Sequence, residues 1–273
     1  MIPAQFSYRK AGSVDEALRL LGEHGDDAKL LAGGHSLLPL MKLRLAAPEV
    51  LIDLGGLRDL SYIADDGDQV HIGALTRHRD VETSELLSSQ VPLLAHAAGT
   101  IGDPQVRHRG TIGGSLVHGD AASDLPAVLL ALQGVLVVRG PSGQRDVPAA
   151  EFFTDFFETA VGEDELLVEV RVPKNPDEGW DFQKFTKRAI DWAMVGAAVA
   201  GDRVALINMG PTPLRAHGVE EALASGADIT DAAQRAAEGT SPPDEPGASA
   251  EYRAHLARVL VRRGLEAARA RTS

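Results

Sequence analysis

A glycine-rich segment between Thr111 and Pro126 holds the residues of this chain best suited to binding an anion. It places Gly113 and Gly114 between a β-branched pair and a small hydroxyl residue. Glycine has no Cβ, so its backbone can adopt a positive φ and bring its amides against another molecule. Successive amides in such a turn form a concave donor surface that suits phosphate oxygens. The pattern predicts a phosphate-binding turn at Gly113 and Gly114.

A helix is predicted to begin just after this turn. Asp124 precedes Leu125-Pro126 and an apolar run to Leu132, which is the pattern of an N-cap with proline in the first turn. The N-terminus of that helix would add positive potential to the same neighbourhood. We therefore expect Asp124 to cap the helix.

A second glycine pair lies 80 residues upstream, at Gly33 and Gly34. A short apolar run ends at Ala32, His35-Ser36 follows the glycines, and residues 37–44 have a helical pattern. A strand, a glycine turn and a helix start predict another anion site lined by amides. Neither segment has the Gly-Lys-Ser/Thr of a mononucleotide loop or the three-glycine spacing of the dinucleotide fold. Together they indicate a ligand with a long diphosphate, held from two sides.

The composition limits the function classes. At 273 residues the chain can hold one large domain or two medium ones. Its formal charge of −12 disfavours nucleic-acid binding and allows at most peripheral contact with an anionic membrane, since both need a basic surface. Cysteine is absent, which excludes disulfides, thiolate catalysis and a cysteine-ligated iron–sulfur cluster within this chain. Residues 1–10 lack the apolar core of a signal peptide, and no stretch is long enough to span a membrane, so we expect a cytoplasmic location.

The two glycine segments and their neighbours resemble the flavin subunits of the molybdenum hydroxylases. The resemblance is carried by Ala32-Gly33-Gly34-His35-Ser36 with Leu38-Pro39 and Lys42-Leu43-Arg44, and by Asp103-Pro104-Gln105-Val106-Arg107 with Thr111-Ile112-Gly113-Gly114. It covers nearly the whole chain and is greatest for the carbon monoxide dehydrogenase branch. It implies an α+β fold, in which a vanillyl-alcohol-oxidase/p-cresol-methylhydroxylase-type FAD-binding domain precedes a small C-terminal domain of antiparallel sheet and helices. The expected bounds are 1–175, with subdomains 1–55 and 56–175, and 176–273.

The resemblance also implies which residues bind FAD. Both glycine segments would hold the diphosphate, through Ala32, Gly33, Gly34, His35, Ser36, Thr111, Ile112, Gly113, Gly114 and Ser115. Ser115 stands where the family usually has Asn or Asp, and its hydroxyl retains hydrogen-bonding capacity.

Five further residues are implied to surround the cofactor. Asp124 would bond the adenosine–ribityl region, and Ile101 and Leu167 would lie against the flavin. Lys184 would lie close to the isoalloxazine ring, where a cation favours the reduced anionic form. Trp192 would cover one flavin face and guard access to the electron acceptor.

Each of these five also has an ordinary structural interpretation. Asp124 can serve only as a helix cap, and Ile101 and Leu167 suit a hydrophobic core. Lys184 suits the surface of an edge strand, and Trp192 suits a core or a subunit contact.

Other chemistry in these segments is disfavoured. A metal site at His118, Asp120 and Asp124 would hold only one histidine, and a hydrolase triad at Ser115, His118 and Asp120 lacks the nucleophile-elbow spacing. The basic clusters at 77–79 and 107–109 are interpreted equally well as solvated turns and as a partner surface or salt bridges. The resemblance favours a positioning role for the second cluster.

The elements that must position these residues follow from periodicity and turn signals. Strands at 6–8, 28–32 and 50–53, with a capping-box helix from Ser13 to Leu21, predict a parallel strand–helix unit around the first glycine segment. Hairpins are predicted around 65–68 and 141–143, a helix capped by Thr76, a helix at 91–98 and a strand at 166–172. A polar stretch at 174–179 marks the domain boundary. Beyond it we expect strands at 182–186, 195–200 and 204–209, and helices at 216–224, 230–238 and 250–270.

These observations leave three functions in competition. The leading hypothesis is an electron-transfer flavoprotein subunit that has no catalytic acid–base residues and holds FAD. A molybdenum large subunit and an iron–sulfur small subunit would carry the molybdenum cofactor and [2Fe-2S] clusters, in a dimer of heterotrimers with an external electron acceptor. Carbon monoxide is the preferred substrate of the complex, with nicotine-like, xanthine-like or other N-heterocycles and aldehydes as alternatives. A self-contained flavin oxidase is disfavoured because the chain has only three tyrosines, and a scaffold that has lost flavin chemistry is the non-catalytic alternative.

Overall fold

The computed structural model describes residues 2–272, so Met1 and Ser273, the outer ends of the predicted domains, lie outside the described residues. The strands are β1 (Ser7–Lys10), β2 (Ala28–Leu31), β3 (Val50–Asp53), β4 (Ile63–Asp66), β5 (Gln69–Gly73), β6 (Val135–Gly140), β7 (Gly143–Pro148), β8 (Phe153–Asp155), β9 (Glu158–Thr159), β10 (Leu166–Pro173), β11 (Trp180–Phe185), β12 (Val195–Ala200), β13 (Arg203–Ile207) and β14 (Leu214–Arg215). The helices are α1 (Val14–His24), α2 (Leu37–Leu43), α3 (His78–Thr83), α4 (Glu85–Gln90), α5 (Pro92–Gly99), α6 (Pro104–Arg109), α7 (Ile112–His118), α8 (Asp124–Ala131), α9 (Ala149–Phe152), α10 (His217–Ala224), α11 (Ile229–Gln234) and α12 (Ala250–Arg271). Across residues 2–272, no helix combines the length and the apolar run that crossing a bilayer requires.

The N-terminal unit is a small parallel sheet, as the sequence predicts, and its strand order is β1-β3-β2. Helix α1 begins where Ser13 Oγ accepts from Glu16 N at 3.1 Å. It ends at His24, and its C-cap is Gly25, whose φ is +50°. The unit packs on one face of a larger sheet, and β2 leads into the first glycine segment there.

That larger sheet is antiparallel, in the order β4-β5-β10-β6-β7. Its central strand β10 is buried on both faces. Val170 and Val172 pack into the main core with helices α5 and α8, while Leu166 and Val168 pack toward the N-terminal unit. The sheet therefore lies between two layers, and the glycine segments come from these two layers.

The C-terminal part is an antiparallel sheet in the order β11-β12-β13-β14, covered by α10, α11 and α12. Every residue of β12 is buried, because one face packs on these helices and the other on the main core. All eight residues of α8 are buried as well, and α8 packs against β12 and β13. The two halves of the chain thus share one core.

Two predicted helix caps are wrong. Ser123 is the N-cap of α8, and Asp124 is its first helical residue, because the Asp124 carboxylate bonds Lys184 instead of backbone amides. Arg77, not Thr76, precedes α3. The Thr76 hydroxyl is instead bonded to Tyr62, accepting from its N at 3.1 Å and donating to its O at 2.9 Å.

Candidate functional site

A cavity of about 490 Å³ opens where the two glycine segments meet. A Cβ on Gly33 would fall 2.3 Å from Arg109 O and 2.8 Å from Gly110 Cα, so the first segment is in backbone contact with the two residues just before the second. A Cβ on Gly114 would fall 3.8 Å from the Cβ of Ala32. Segments 80 positions apart in the sequence therefore line one space.

The first glycine segment has the geometry of an anion-binding turn. Gly34 has a φ of +80°, which glycine adopts without strain. Within residues 2–272, the amides of Gly33, Gly34, His35 and Ser36 donate no hydrogen bond. Four successive free donors at the cavity wall can be satisfied by the oxygens of an anionic ligand.

The second glycine segment differs from the prediction. Gly113 and Gly114 lie inside α7 and have no positive φ. Their amides are already bonded, Gly113 N to Ala74 O at 2.9 Å and Gly114 N to Thr111 Oγ1 at 3.2 Å. The predicted amide-lined turn is therefore wrong at this segment. Glycine is needed at 113 for close packing instead, since a Cβ there would fall 2.7 Å from that of Ala74.

Most residues predicted to bind the cofactor surround this cavity. Fourteen of the fifteen line it, namely Ala32, Gly33, Gly34, His35, Ser36, Ile101, Thr111, Gly113, Gly114, Ser115, Asp124, Leu167, Lys184 and Trp192. The exception is Ile112, whose side chain is fully buried in the main core next to the cavity.

Asp124 and Lys184 form a buried ion pair in the cavity wall. Lys184 Nζ lies 2.7 Å from Asp124 Oδ2 and donates a second hydrogen bond to Thr100 O at 3.2 Å. Burial raises the pKa of Asp124 to about 6, although the Lys184 charge opposes this shift. Lys184 lies on edge strand β11, yet its side chain is only 10% exposed, so the surface interpretation of this lysine is wrong.

Trp192 lies on the loop between β11 and β12 and is 58% exposed, which excludes a core position. The base of this loop is held by two side chains. Arg253, which is 2% exposed, donates to Met194 O at 2.5 Å, and Asn208 donates to Ala193 O at 2.9 Å. The indole is thus presented at the cavity mouth by a loop that is anchored behind it.

Sequence reasoning missed two buried polar residues of the wall, His78 and Ser123. Ser123 Oγ and His78 Nδ1 are buried and lack a hydrogen-bond partner in the described chain, as does Asp124 Oδ1. Burial, with smaller contributions from nearby positive charges, lowers the pKa of His78 to about 4. His78 falls in the basic cluster 77–79, but nothing in its spacing distinguishes it from a surface residue.

The donors and acceptors of this wall fit a flavin dinucleotide. The free amides at Gly33–Ser36 suit a diphosphate, and the apolar side chains of Ile101 and Leu167 suit a ring system. The unpartnered atoms of Ser123 and Asp124 are the kind that a polar ligand satisfies, because buried polar groups in native proteins are otherwise bonded. The cavity volume is also typical of cofactor sites.

Comparison with known families agrees with this geometry. Residues 4–175 match the family described as the FAD binding domain in molybdopterin dehydrogenase. The chain belongs to this flavoprotein family. Residues 180–268 of the flavoprotein match the CO dehydrogenase flavoprotein C-terminal domain, and the α+β architecture predicted from the resemblance is confirmed.

The flavoprotein is similar to relatives over its full length. It is 44% identical to the carbon monoxide dehydrogenase medium chain of Hydrogenophaga pseudoflava, over 99% of both chains. It is 40% identical to the 6-hydroxypseudooxynicotine dehydrogenase complex subunit alpha of Paenarthrobacter nicotinovorans, over 97% of this chain and 95% of that one. A solved structure is also similar. It is the carbon monoxide dehydrogenase from Hydrogenophaga pseudoflava that lacks the Mo-pyranopterin moiety of the molybdenum cofactor. One of its chains matches this chain with a TM-score of 0.97 and 44% identity, over 100% of both chains.

Proposed function

We propose that this flavoprotein is the FAD-carrying subunit of a molybdenum hydroxylase complex that oxidises carbon monoxide. The observation that carries the proposal is the cavity at the junction of the two glycine segments, inside a fold that matches a carbon monoxide dehydrogenase flavoprotein along its whole length. The preference for carbon monoxide is supported by the 44% identity to a medium chain of that enzyme.

Residues of both halves of the chain would hold FAD. The amides of Gly33–Ser36 would donate to the diphosphate, while Thr111, Gly114 and Ser115 would close the opposite wall. Asp124 Oδ1 and Ser123 Oγ would bond polar groups of the cofactor, because each has an unused hydrogen-bonding position. We propose the division into domains 1–175 and 176–273 on the same grounds, since the second supplies only Lys184 and the loop of Trp192 to this wall.

Bound FAD would supply the chemistry of taking up single electrons and passing on two. The contribution of this chain is to bind and orient it. Lys184 places its ammonium group in the buried wall, where it would stabilise negative charge on the reduced ring, and Asp124 fixes the position of that group. Trp192 would limit the access of water and small oxidants at the mouth.

Partner chains are part of the proposal. Because this chain has no cysteine, its own residues cannot ligate a cluster through thiolates. We therefore propose an iron–sulfur subunit as the electron donor and a molybdenum subunit as the site of substrate oxidation, in a dimer of heterotrimers that reduces an external acceptor. The cytoplasmic location expected from the sequence stays a prediction.

A second candidate substrate class is favoured by one comparison. The 40% identity to a 6-hydroxypseudooxynicotine dehydrogenase subunit is close to that of the carbon monoxide dehydrogenase relative. A complex that hydroxylates an N-heterocycle is the alternative.

Purification of the chain with its co-purifying chains tests the proposal. We expect one FAD per chain, iron and molybdenum on the partners, and bleaching of the flavin spectrum by carbon monoxide. Bleaching by a nicotine-like heterocycle alone would favour the alternative. The isolated chain loaded with FAD should oxidise neither substrate, and turnover by it would contradict the subunit role.

A further inference from the structure

We propose that His78 is an additional cofactor-binding residue, whose Nε2–H donates a hydrogen bond to the diphosphate of the bound dinucleotide. The inference rests on the proposed function, because it needs FAD in the cavity. His78 lies outside both glycine segments, at the start of α3, and lines the same cavity.

Close backbone packing holds the imidazole beside the first glycine segment. His78 N donates to Gly110 O at 3.0 Å, and a Cβ on Gly110 would fall 2.7 Å from His78 Cδ2. Glycine at 110 is therefore required to leave room for the ring. Gly110 in turn packs against Gly33, so the imidazole lies just across Gly110 from the turn that carries the four free amides.

The burial of the ring determines which nitrogen carries the proton. Nδ1 of His78 is sealed from solvent and has no partner within residues 2–272. A proton there would leave a buried donor without an acceptor, which folded proteins avoid. The neutral ring therefore carries its proton on Nε2. This nitrogen lies 3.0 Å from the position of a Cβ on Gly110, beside the cavity, and makes no hydrogen bond within the described chain, so its N–H is free for a ligand.

The charges around the ring favour an anion. Burial is the largest cause of the lowered pKa of His78, and positive charge on His35, Arg107 and Arg77 lowers it further. Arg107 is paired with Glu82 at 2.9 Å, whereas Arg77 donates to Arg109 O and forms no ion pair among residues 2–272. A diphosphate would therefore meet a neutral donor close to the guanidinium of Arg77, which is a favourable setting for binding an anion.

The test compares His78→Leu, which removes the donor, with His78→Gln, which keeps an amide N–H at a similar distance from the backbone. His96→Leu is the control, because His96 packs against Trp180 outside the cavity. The protein and its co-purifying chains are freed of flavin and titrated with FAD. We expect His78→Leu to bind FAD roughly ten- to a hundred-fold more weakly, since the lost bond is to a charged group. His78→Gln should recover most of the affinity, and His96→Leu should match the parent.

Competition experiments separate a lost contact from a distorted site. In His78→Leu the inhibition constant of ADP, corrected for the affinity of FAD, should rise by about the same factor as the Kd of FAD, whereas that of adenosine, which has no diphosphate, should equal the parent value. Unchanged FAD affinity in His78→Leu, or an equal rise in the inhibition constants of ADP and adenosine, would overturn the inference. A parent protein that binds no FAD would overturn the proposed function together with it.

Discussion

Asp124 is a buried carboxylate whose one oxygen bonds Lys184 and whose other oxygen has no partner in the described chain. In the family resemblance this residue has a role in binding, and a helix cap is its ordinary alternative. The structure assigns the cap to Ser123, so the aspartate is free to act on a ligand. Keeping an acid in this position costs stability while no ligand is bound.

The cost predicts a specific pH dependence. The ordinary pKa of Asp124 is 3.8, and burial raises it to about 6 in the folded chain. Between these values the folded chain binds more protons than the unfolded one, so the free energy of unfolding that Asp124 contributes falls as pH rises through this window. Asp124→Asn should lack this loss. With both proteins free of flavin, the Tm of the variant minus the Tm of the parent should therefore increase from pH 4 to pH 7. We expect an increase of roughly 5 °C, since a tenfold change in proton affinity is about 1.4 kcal/mol.

Thermal scans of both proteins at several pH values measure this difference. Other carboxylates titrate alike in the two proteins, so their effects cancel. A difference in Tm that stays constant across the range would mean that Asp124 titrates normally in the folded chain.

Gly114 is the residue at which the two glycine segments approach each other. A Cβ here would fall 2.8 Å from Thr111 Oγ1, the atom that caps α7, and would point toward Ala32. Gly114→Val should therefore disturb the cap and fill the gap, giving a protein with little FAD and a lower Tm. Loss of the cofactor alone would remove about 2.7 kcal/mol at a ligand concentration of about a hundred times Kd.

The ratio of flavin to protein after gel filtration checks this result. Gly22→Val is the matched control, because Gly22 is exposed on α1 and a Cβ there meets no atom within 4 Å. Gly119, in the same segment as Gly114, does not serve as a control, because its φ of +67° would strain any side chain placed there. Full FAD occupancy in Gly114→Val would place the diphosphate away from this wall.

At the scale of elements, the loop between β11 and β12 carries Trp192, an exposed side chain of the cavity wall that can be replaced without disturbing the core. Trp192→Ala should leave FAD bound, because the free amides and the ion pair remain. It should increase flavin fluorescence and speed reoxidation by small oxidants, since an indole in contact with the ring quenches it and shields it. Steady-state fluorescence and stopped-flow reoxidation measure these effects.

Trp180→Phe provides the comparison for this variant. Trp180 packs against His96 and Arg271 on the C-terminal sheet, outside the cavity. Spectra and reoxidation rates of Trp192→Ala that match those of Trp180→Phe and the parent would assign Trp192 to a subunit contact.

The elements also show how far the sequence could be interpreted. The parallel unit around Gly33 was predictable, because Ser13, the apolar runs and the glycines all act over a few neighbouring positions. The helix at 112–118 was not, because Gly113 and Gly114 are poor helix formers on their own. Contact of Gly113 with Ala74, 39 positions earlier in the sequence, explains why glycine is needed in that helix.

The same reasoning applies to the candidate site. Motif residues such as Ser36 and Thr111 could be named from the sequence, whereas His78 and Ser123 could not. Their significance lies in which of their atoms are buried without a partner, and this depends on the packing of segments far apart in the chain.

At the scale of the whole molecule, the two halves should unfold together. Ala198 and Ile207 of the C-terminal sheet belong to the same core as Leu129 and Val170 of the FAD-binding part. Removing residues 176–272 would expose the apolar surface of α8 to water, and removing residues 2–175 would expose the face of β12 that packs on the main core. We therefore expect a single cooperative transition in urea.

Two probes distinguish shared from separate unfolding. Both tryptophans lie in residues 176–273, so their fluorescence follows that half, while far-UV circular dichroism follows the entire chain. Coincident curves are the expected result. Separated midpoints would mean that the proposed domains are stable on their own.

The unpartnered atoms of His78, Ser123 and Asp124 have a consequence for the life of the chain in a cell. A newly made chain carries this penalty until a flavin dinucleotide satisfies these groups, so it spends a larger fraction of time unfolded when the cofactor is scarce. Unfolded molecules are removed by proteases. The supply of riboflavin should therefore determine how much of this subunit accumulates. Riboflavin starvation should shorten the half-life of the protein, independently of any effect on catalytic activity.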